Sequence, residues 1–147
     1  MAKREPLMEH ADALDRGLVD IGQAAKASGV SVKMIRHYEA IGLLKDVART
    51  FANYRVYSDA DVHTLRFIKR ARTLGFSIED IRALLSLWQN KSRPSAAVKK
   101  IAGGHVAALQ KKIAEMQAMV ATLSHLTHHC HGDQRPDCPI LEDLARE

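Results

Sequence analysis

The sequence predicts a mainly α-helical chain: short helices around one small hairpin, followed by a single long helix. Three observations carry this expectation. Polar N-cap residues precede apolar runs at Asp20, Ser31, Ser58 and Ser77. Of the 147 residues 46% are hydrophobic but only 5% are aromatic, a balance that favours helices packed on Leu, Ile, Val and Ala. Finally, Val106, Leu109, Ile113, Met116, Val120 and Leu123 recur at alternating steps of three and four, the spacing of a heptad seam.

Residues 1–17 mix charges with few apolar side chains and read as a poorly ordered tail or a short frayed helix. Asp20 with Gln23 forms a capping-box pattern that opens a helix running through Ser28 and stopping at Gly29. Ser31 caps the next, Val32 to about Ile41, ended by Gly42. Two short helices joined by a tight glycine-containing turn are the pattern of a helix-turn-helix. Ala24, Ala25, Val30, Val32 and Ile35 supply the core between them, and Lys33, Arg36, His37 and Tyr38 occupy other faces of the second helix, where they could meet phosphates or base edges. A solvated basic face is the plain alternative.

Val47 to Tyr57 alternates and is rich in β-formers, with Ala52-Asn53 as a turn, and so reads as a small hairpin. Arg49, Arg55, Tyr54 and Tyr57 would give it a backbone-gripping edge. Ser58 then caps a helix from Asp59 to Leu74, with Val62, Leu65, Ile68 and Ala71 or Arg72 in its periodic pattern. Ser77 caps another, to about Trp88, with Ile78, Ile81, Leu84, Leu85 and Trp88 apolar. Gln89 to Pro94 is a linker. From Ser95 to Thr127 runs one long helical pattern. Its seam wants a partner, which points to a homodimeric coiled coil. Gly103-Gly104 works against the helix at about 1 kcal/mol each and predicts a bend or a late start there.

The chemistry concentrates in residues 128–147. Both cysteines of the chain, Cys130 and Cys138, flank a turn-rich loop containing Gly132, Asp133 and Pro136. Pro139 suits the first position of a short helix, so Cys138 would stand where the helix dipole favours negative charge. Two soft thiolates select soft or borderline ions. A closed zinc site wants four ligands, so two cysteines suit monovalent Cu(I), Ag(I) or Au(I), while His125, His128, His129 and His131 keep zinc open. The plain alternatives are ordinary thiols or a labile disulfide, the latter disfavoured in a chain with no secretory signal.

Net charge is +5, consistent with an acidic partner such as nucleic acid. Basic residues outnumber acidic ones from Ile21 to Arg82, and the balance reverses from Asp133 onward. No apolar run approaches a membrane span, and a cytosolic location is expected. No Gly-rich phosphate loop, nucleophile–base constellation or paired carboxylates point to an enzyme. A cytosolic metal buffer would leave the helix-turn-helix pattern without a use.

Four segments then acquire a common meaning: Ile21-Gly22-Gln23-Ala24-Ala25, Ser31 to Glu39, Asn53-Tyr54-Arg55-Val56-Tyr57 and Ala71 to Ser77. They resemble the MerR-type transcriptional regulators, over about Leu18 to Leu144. The loop from Cys130 to Cys138 with Pro139-Ile140-Leu141-Glu142 resembles the copper-efflux-regulator (CueR/HmrR-like) branch. The resemblance implies a winged helix-turn-helix DNA-binding domain over 18–88, a dimerisation helix over 95–127 paired antiparallel, and a C-terminal metal-binding loop over 128–147. Lys33, Arg36 and Tyr38 match major-groove positions, and Arg49, Tyr54 and Arg55 match wing positions that hold phosphates. Cys130 and Cys138 match a pair that binds a monovalent coinage-metal ion linearly. Divalent-metal and mercury sensors of the family carry a further cysteine where this chain has Ser95, placing Ser95 beside the partner protomer's metal loop. The function implied is activation: the metal-bound dimer bends and untwists an overlong promoter spacer so that RNA polymerase meets both promoter elements aligned. Asn53 departs from the glycine usual at the wing, and because Asn tolerates the left-handed conformation the turn is expected to survive.

Overall fold

The structure is a computed structural model and describes residues 9–134 and 136–146. The chain divides into two units, one ending at Val98 and the other beginning at Lys99.

In the first unit, α1 (His10–Asp15) precedes the helix pair α2 (Ile21–Ser28) and α3 (Val32–Ala40). The α2 cap forms as its sequence predicts. Asp20 Oδ1 accepts from the Gln23 amide at 2.8 Å and Gln23 Oε1 accepts from the Asp20 amide at 3.2 Å. Gly29 ends α2 at φ 74°, a left-handed conformation in which glycine carries no Cβ penalty. Ser31 caps α3 through the Met34 amide at 3.2 Å.

Strands β1 (Ala48–Arg49) and β2 (Arg55–Val56) then pair antiparallel, with Ala48 opposite Val56 and Arg49 opposite Arg55. Helices α4 (Asp59–Thr73) and α5 (Ile78–Gln89) follow, capped by Ser58 and Ser77. All four expected positions of α4, Val62, Leu65, Ile68 and Ala71, are buried. They pack with Ala24, Val30, Ile35, Tyr57, Ile81 and Leu85 in one apolar core.

Long-range polar contacts hold these elements in register. Arg66 donates twice to the Ala27 carbonyl, at 3.0 and 2.8 Å, tying α4 to the end of α2. Arg82 donates to the Ile41 carbonyl at 2.7 Å, tying α5 to the end of α3. Val19 and Tyr57 exchange backbone hydrogen bonds at 2.9 and 2.7 Å, so the strand that leaves the hairpin is anchored beside the start of α2.

Two segments carry more structure than their sequence suggested. Within the reach assigned to a tail or frayed helix, α1 seats Ala13 at 1% exposure in a small cluster with Ala48 and Val56, behind the hairpin; residues 1–8 lie outside the described residues. The linker after α5 is internally bonded. Arg93 donates to the Trp88 and Asn90 carbonyls, each at 3.2 Å, and its guanidinium lies 5.4 Å from the Trp88 ring centre, a cation–π distance.

Helix α6 (Ser95–His129) runs without interruption through Gly103 and Gly104, so the expected late start does not occur. Local glycine cost is outweighed by the many good helix formers around it. The second unit consists of α6 from Lys99 onward, a loop, and α7 (Pro139–Leu144). None of its described residues is buried.

Candidate functional site

Helix α3 presents Lys33, Arg36 and His37 to solvent while Ile35 and Tyr38 turn inward. Tyr38, expected on the surface with them, is only 5% exposed and belongs to the core. Its three-residue offset from Ile35 is the helical signal for that inner face.

The hairpin turn is built by Thr50, a residue sequence reasoning passed over. Thr50 is 2% exposed. Its amide donates to the Tyr54 carbonyl at 2.8 Å, its carbonyl accepts from the Asn53 amide at 2.8 Å, and its hydroxyl accepts from the Tyr54 amide at 3.2 Å. Asn53 sits at φ 67°, the left-handed region, and the turn survives as expected of Asn there. Arg49 Nη1 donates to Asn53 Oδ1 at 3.0 Å, which holds that guanidinium along the hairpin edge. Phe51 and Tyr54 stand well out at the tip, 62% and 72% exposed.

Arg55 has a partner within the chain. Its Nε donates to Glu39 Oε1 at 2.9 Å and lies 2.7 Å from Oε2, so the last turn of α3 is bridged to β2. The hydrogen bond to Glu39 raises the Arg55 pKa above its already high ordinary value, and Arg55 is a fixed positive charge. Burial first, and the Glu39 charge second, push the Tyr57 phenol up to about 12. The bridge fixes the hairpin at a set distance from α3. Between them lies a cleft of about 500 Å³, bordered by Asp20, Ile21 and Arg36 on one side and by Phe51, Tyr54 and Arg55 on the other. Its lining is mixed: Phe51 and Tyr54 give it an apolar, aromatic wall, Glu9 and Asp20 add carboxylates, and Arg36 contributes an exposed cation while Arg55 is paired with Glu39.

In the second unit, the Cys130 amide closes α6 by donating to the Leu126 and Thr127 carbonyls at 3.1 and 3.2 Å. Gly132, at φ 63°, turns the chain. Cys138 is the N-cap of α7, and Pro139 takes the first helical position, as its fixed φ favours. Both cysteines are free thiols of intermediate exposure. Among the described residues, no group of three or more His, Cys, Asp or Glu side chains is gathered so as to hold a metal ion. What the loop offers is a pair of thiols at its two ends. Ser95 is the exposed first residue of α6 and lies within the first unit. No described helix is long and apolar enough to cross a membrane.

Comparison with known proteins gives these features a setting. Residues 19–88 match the model of the MerR HTH family regulatory proteins, and residues 62–126 match the model described as MerR, DNA binding. The HTH-type transcriptional regulator HmrR of Sinorhizobium medicae is 59% identical over 128 residues, covering 87% of each chain. Heavy metal-dependent transcription regulator 2 of Rhizobium meliloti is 58% identical over 127 residues, covering 86% of each. Among solved structures, the transcription regulator PbrR691 of Ralstonia metallidurans, in complex with lead(II), aligns with TM-score 0.78 and 31% identity over 86% of this chain and 99% of its own. The chain therefore belongs to the MerR family of DNA-binding transcriptional regulators, which are not enzymes, on the side of the family whose members are named as heavy-metal-dependent.

Proposed function

We propose that this chain is a Cu(I)-responsive activator that binds promoter DNA as a homodimer and distorts it when the ion is held by Cys130 and Cys138. The single observation that carries the choice of ion is the donor set: two free thiols at the two ends of one short turned loop. Two soft thiolates suit a monovalent coinage metal, Cu(I) or its relatives Ag(I) and Au(I), that takes few ligands. Cys130, just past α6, and Cys138, the N-cap of α7, would hold the ion, which would supply a soft acceptor for their two thiolates. Ser95, with no thiol to add, would flank the partner's loop.

On the DNA side, Lys33, Arg36 and His37 of α3 face the major groove, and Arg49 and Tyr54 hold phosphates at the hairpin. Arg55 contributes through the Glu39 bridge, which sets the hairpin against α3, and Tyr38 supports that helix from within. Dimerisation uses the seam of α6, whose Val106, Ile113, Met116, Val120 and Leu123 are all more than half exposed in the single chain. A preference of the ion for one dimer geometry supplies the free energy for deforming an overlong promoter spacer, which RNA polymerase then reads. A target of promoter DNA places the protein in the cytoplasm.

Anaerobic titration with Cu(I) and with Zn(II), read by DNA binding and by transcription from such a promoter, tests this. One Cu(I) per protomer should switch transcription on where Zn(II) does not. Cys130→Ser or Cys138→Ser should abolish the response and leave DNA affinity within about twofold, since phosphate and base contacts lie in the other unit. Switching by Zn(II), or equal loss of DNA binding in the cysteine variants, would overturn the assignment.

A further inference from the structure

We propose that His125 and His129 form a second metal site, for a divalent first-row transition cation, on the outer face of α6 and separate from the two thiols. The two residues stand one helical turn apart, which brings their side chains to one face. Their ring centres lie 4.2 Å apart with the planes at 85°. An ion about 2.0–2.1 Å from a nitrogen of each imidazole, with the two bonds between a right angle and tetrahedral, sets the ring centres roughly 4.5–5 Å apart. The ring separation is thus close to that of a chelate, which forms when the edge-to-face rings turn so that one nitrogen of each converges on the ion. Both residues are exposed, so the ion and its remaining water ligands have room. His128, its ring centre 5.7 Å from that of His129, is a further imidazole within the same turn.

The heptad register separates this pair from both the seam and the thiols. Continued past Leu123, the seam falls on Thr127 and Cys130, whereas His125 and His129 occupy outer positions. At about 100° per residue, Cys130 lies roughly 140° around the axis from His125 and 100° from His129. The Cys130 amide still follows the helix, donating to Leu126, so that angular separation holds. A second copy of the chain on the seam would leave the imidazoles facing outward. Imidazole suits Zn(II), Ni(II) and Cu(II), where thiolate selects softer ions, so the end of α6 offers two donor sets of different softness. The plain alternative is that His128 and His129, in the last turn, only complement the helix dipole, each acting alone.

The test uses the full chain carrying Cys130→Ser and Cys138→Ser, titrated by calorimetry with ZnCl2 and separately with NiCl2. One ion should bind per protomer. Adding either His125→Ala or His129→Ala should weaken binding about tenfold or more, and the two together should cost little beyond either one, because a chelate is broken once. Cu(II) electron paramagnetic resonance should show coupling to two imidazole nitrogens, and circular dichroism should show α6 unchanged in every variant. Absence of binding to the thiol-free chain, or small and independent losses from the two histidines, would overturn the site. Because the thiols are removed, this outcome is independent of whether Cu(I) acts at Cys130 and Cys138.

Discussion

The two units of this protein solve the burial problem in opposite ways. The unit ending at Val98 closes an apolar core within one chain: Ala24, Ile35, Tyr57, Leu65, Ile68 and Ile81 are all fully buried. The unit beginning at Lys99 buries none of its described residues, although Val106, Ile113, Met116, Val120 and Leu123 make a continuous apolar stripe. Several short helices can close around one another, whereas a single helix has no inside. The first unit has the makings of independent stability, and the second has a face that only another chain can cover.

The largest expected effect comes from breaking the self-contained side. Leu65→Ala empties a site at 0% exposure in the centre of the core and should lower the stability of the first unit by about 2–5 kcal/mol in urea denaturation. A loss under 1 kcal/mol would mean that the core relaxes around the hole. The opposite side breaks differently. Ile113→Asp puts a charge on the exposed stripe, so it should leave the first unit's denaturation midpoint unchanged while shifting sedimentation toward a monomer. An unchanged oligomer would show that the stripe is not the contact between copies.

A pH titration sharpens the contrast, because Tyr57 belongs to the first unit alone. Its phenol is pushed from the ordinary 10 up to about 12 in the folded state, by burial and then by Glu39. The folded chain therefore binds that proton more tightly than the unfolded chain. The stabilisation is fully present below pH 10 and is lost as pH rises from about 10 to 12, with roughly 2 kcal/mol at stake. Tyr57→Phe should flatten the urea midpoint across that window, and a slope that persists in the variant would assign it to another group. The smallest effect is a gain. Gly104 lies inside α6 at an outer heptad position, and an added Cβ would meet nothing within 4 Å. Gly104→Ala should stabilise the helix by about 1 kcal/mol, seen as a higher thermal midpoint of the α6 dichroism. A loss would reveal a close neighbour at that face.

What could be read from the residues follows the range of the interaction. Caps, stops and periodic faces are local, so α2 to α5 start and stop within a residue or two of where Asp20, Ser31, Ser58, Ser77 and the glycines place them. The hairpin turn at Asn53 was legible for the same reason, as was the placement of Cys138 before Pro139. Tyr38 was misplaced although a local signal existed, its offset from Ile35. It was grouped with Lys33, Arg36 and His37 as a polar-tipped side chain of the second helix, yet its ring lies in the core.

By itself, the sequence determined the order of elements, the apolar stripe of α6, the two-thiol loop and the family, because each is written in neighbouring residues. Only the tertiary structure decided that Arg55 is bound to Glu39, sixteen positions away, that Ala13 is buried behind the hairpin, and that Arg66 and Arg82 hold the ends of α2 and α3. Those contacts depend on where distant backbone segments meet in space. A pairing across such separations leaves no periodicity in the chain, and it exists only once the core has closed.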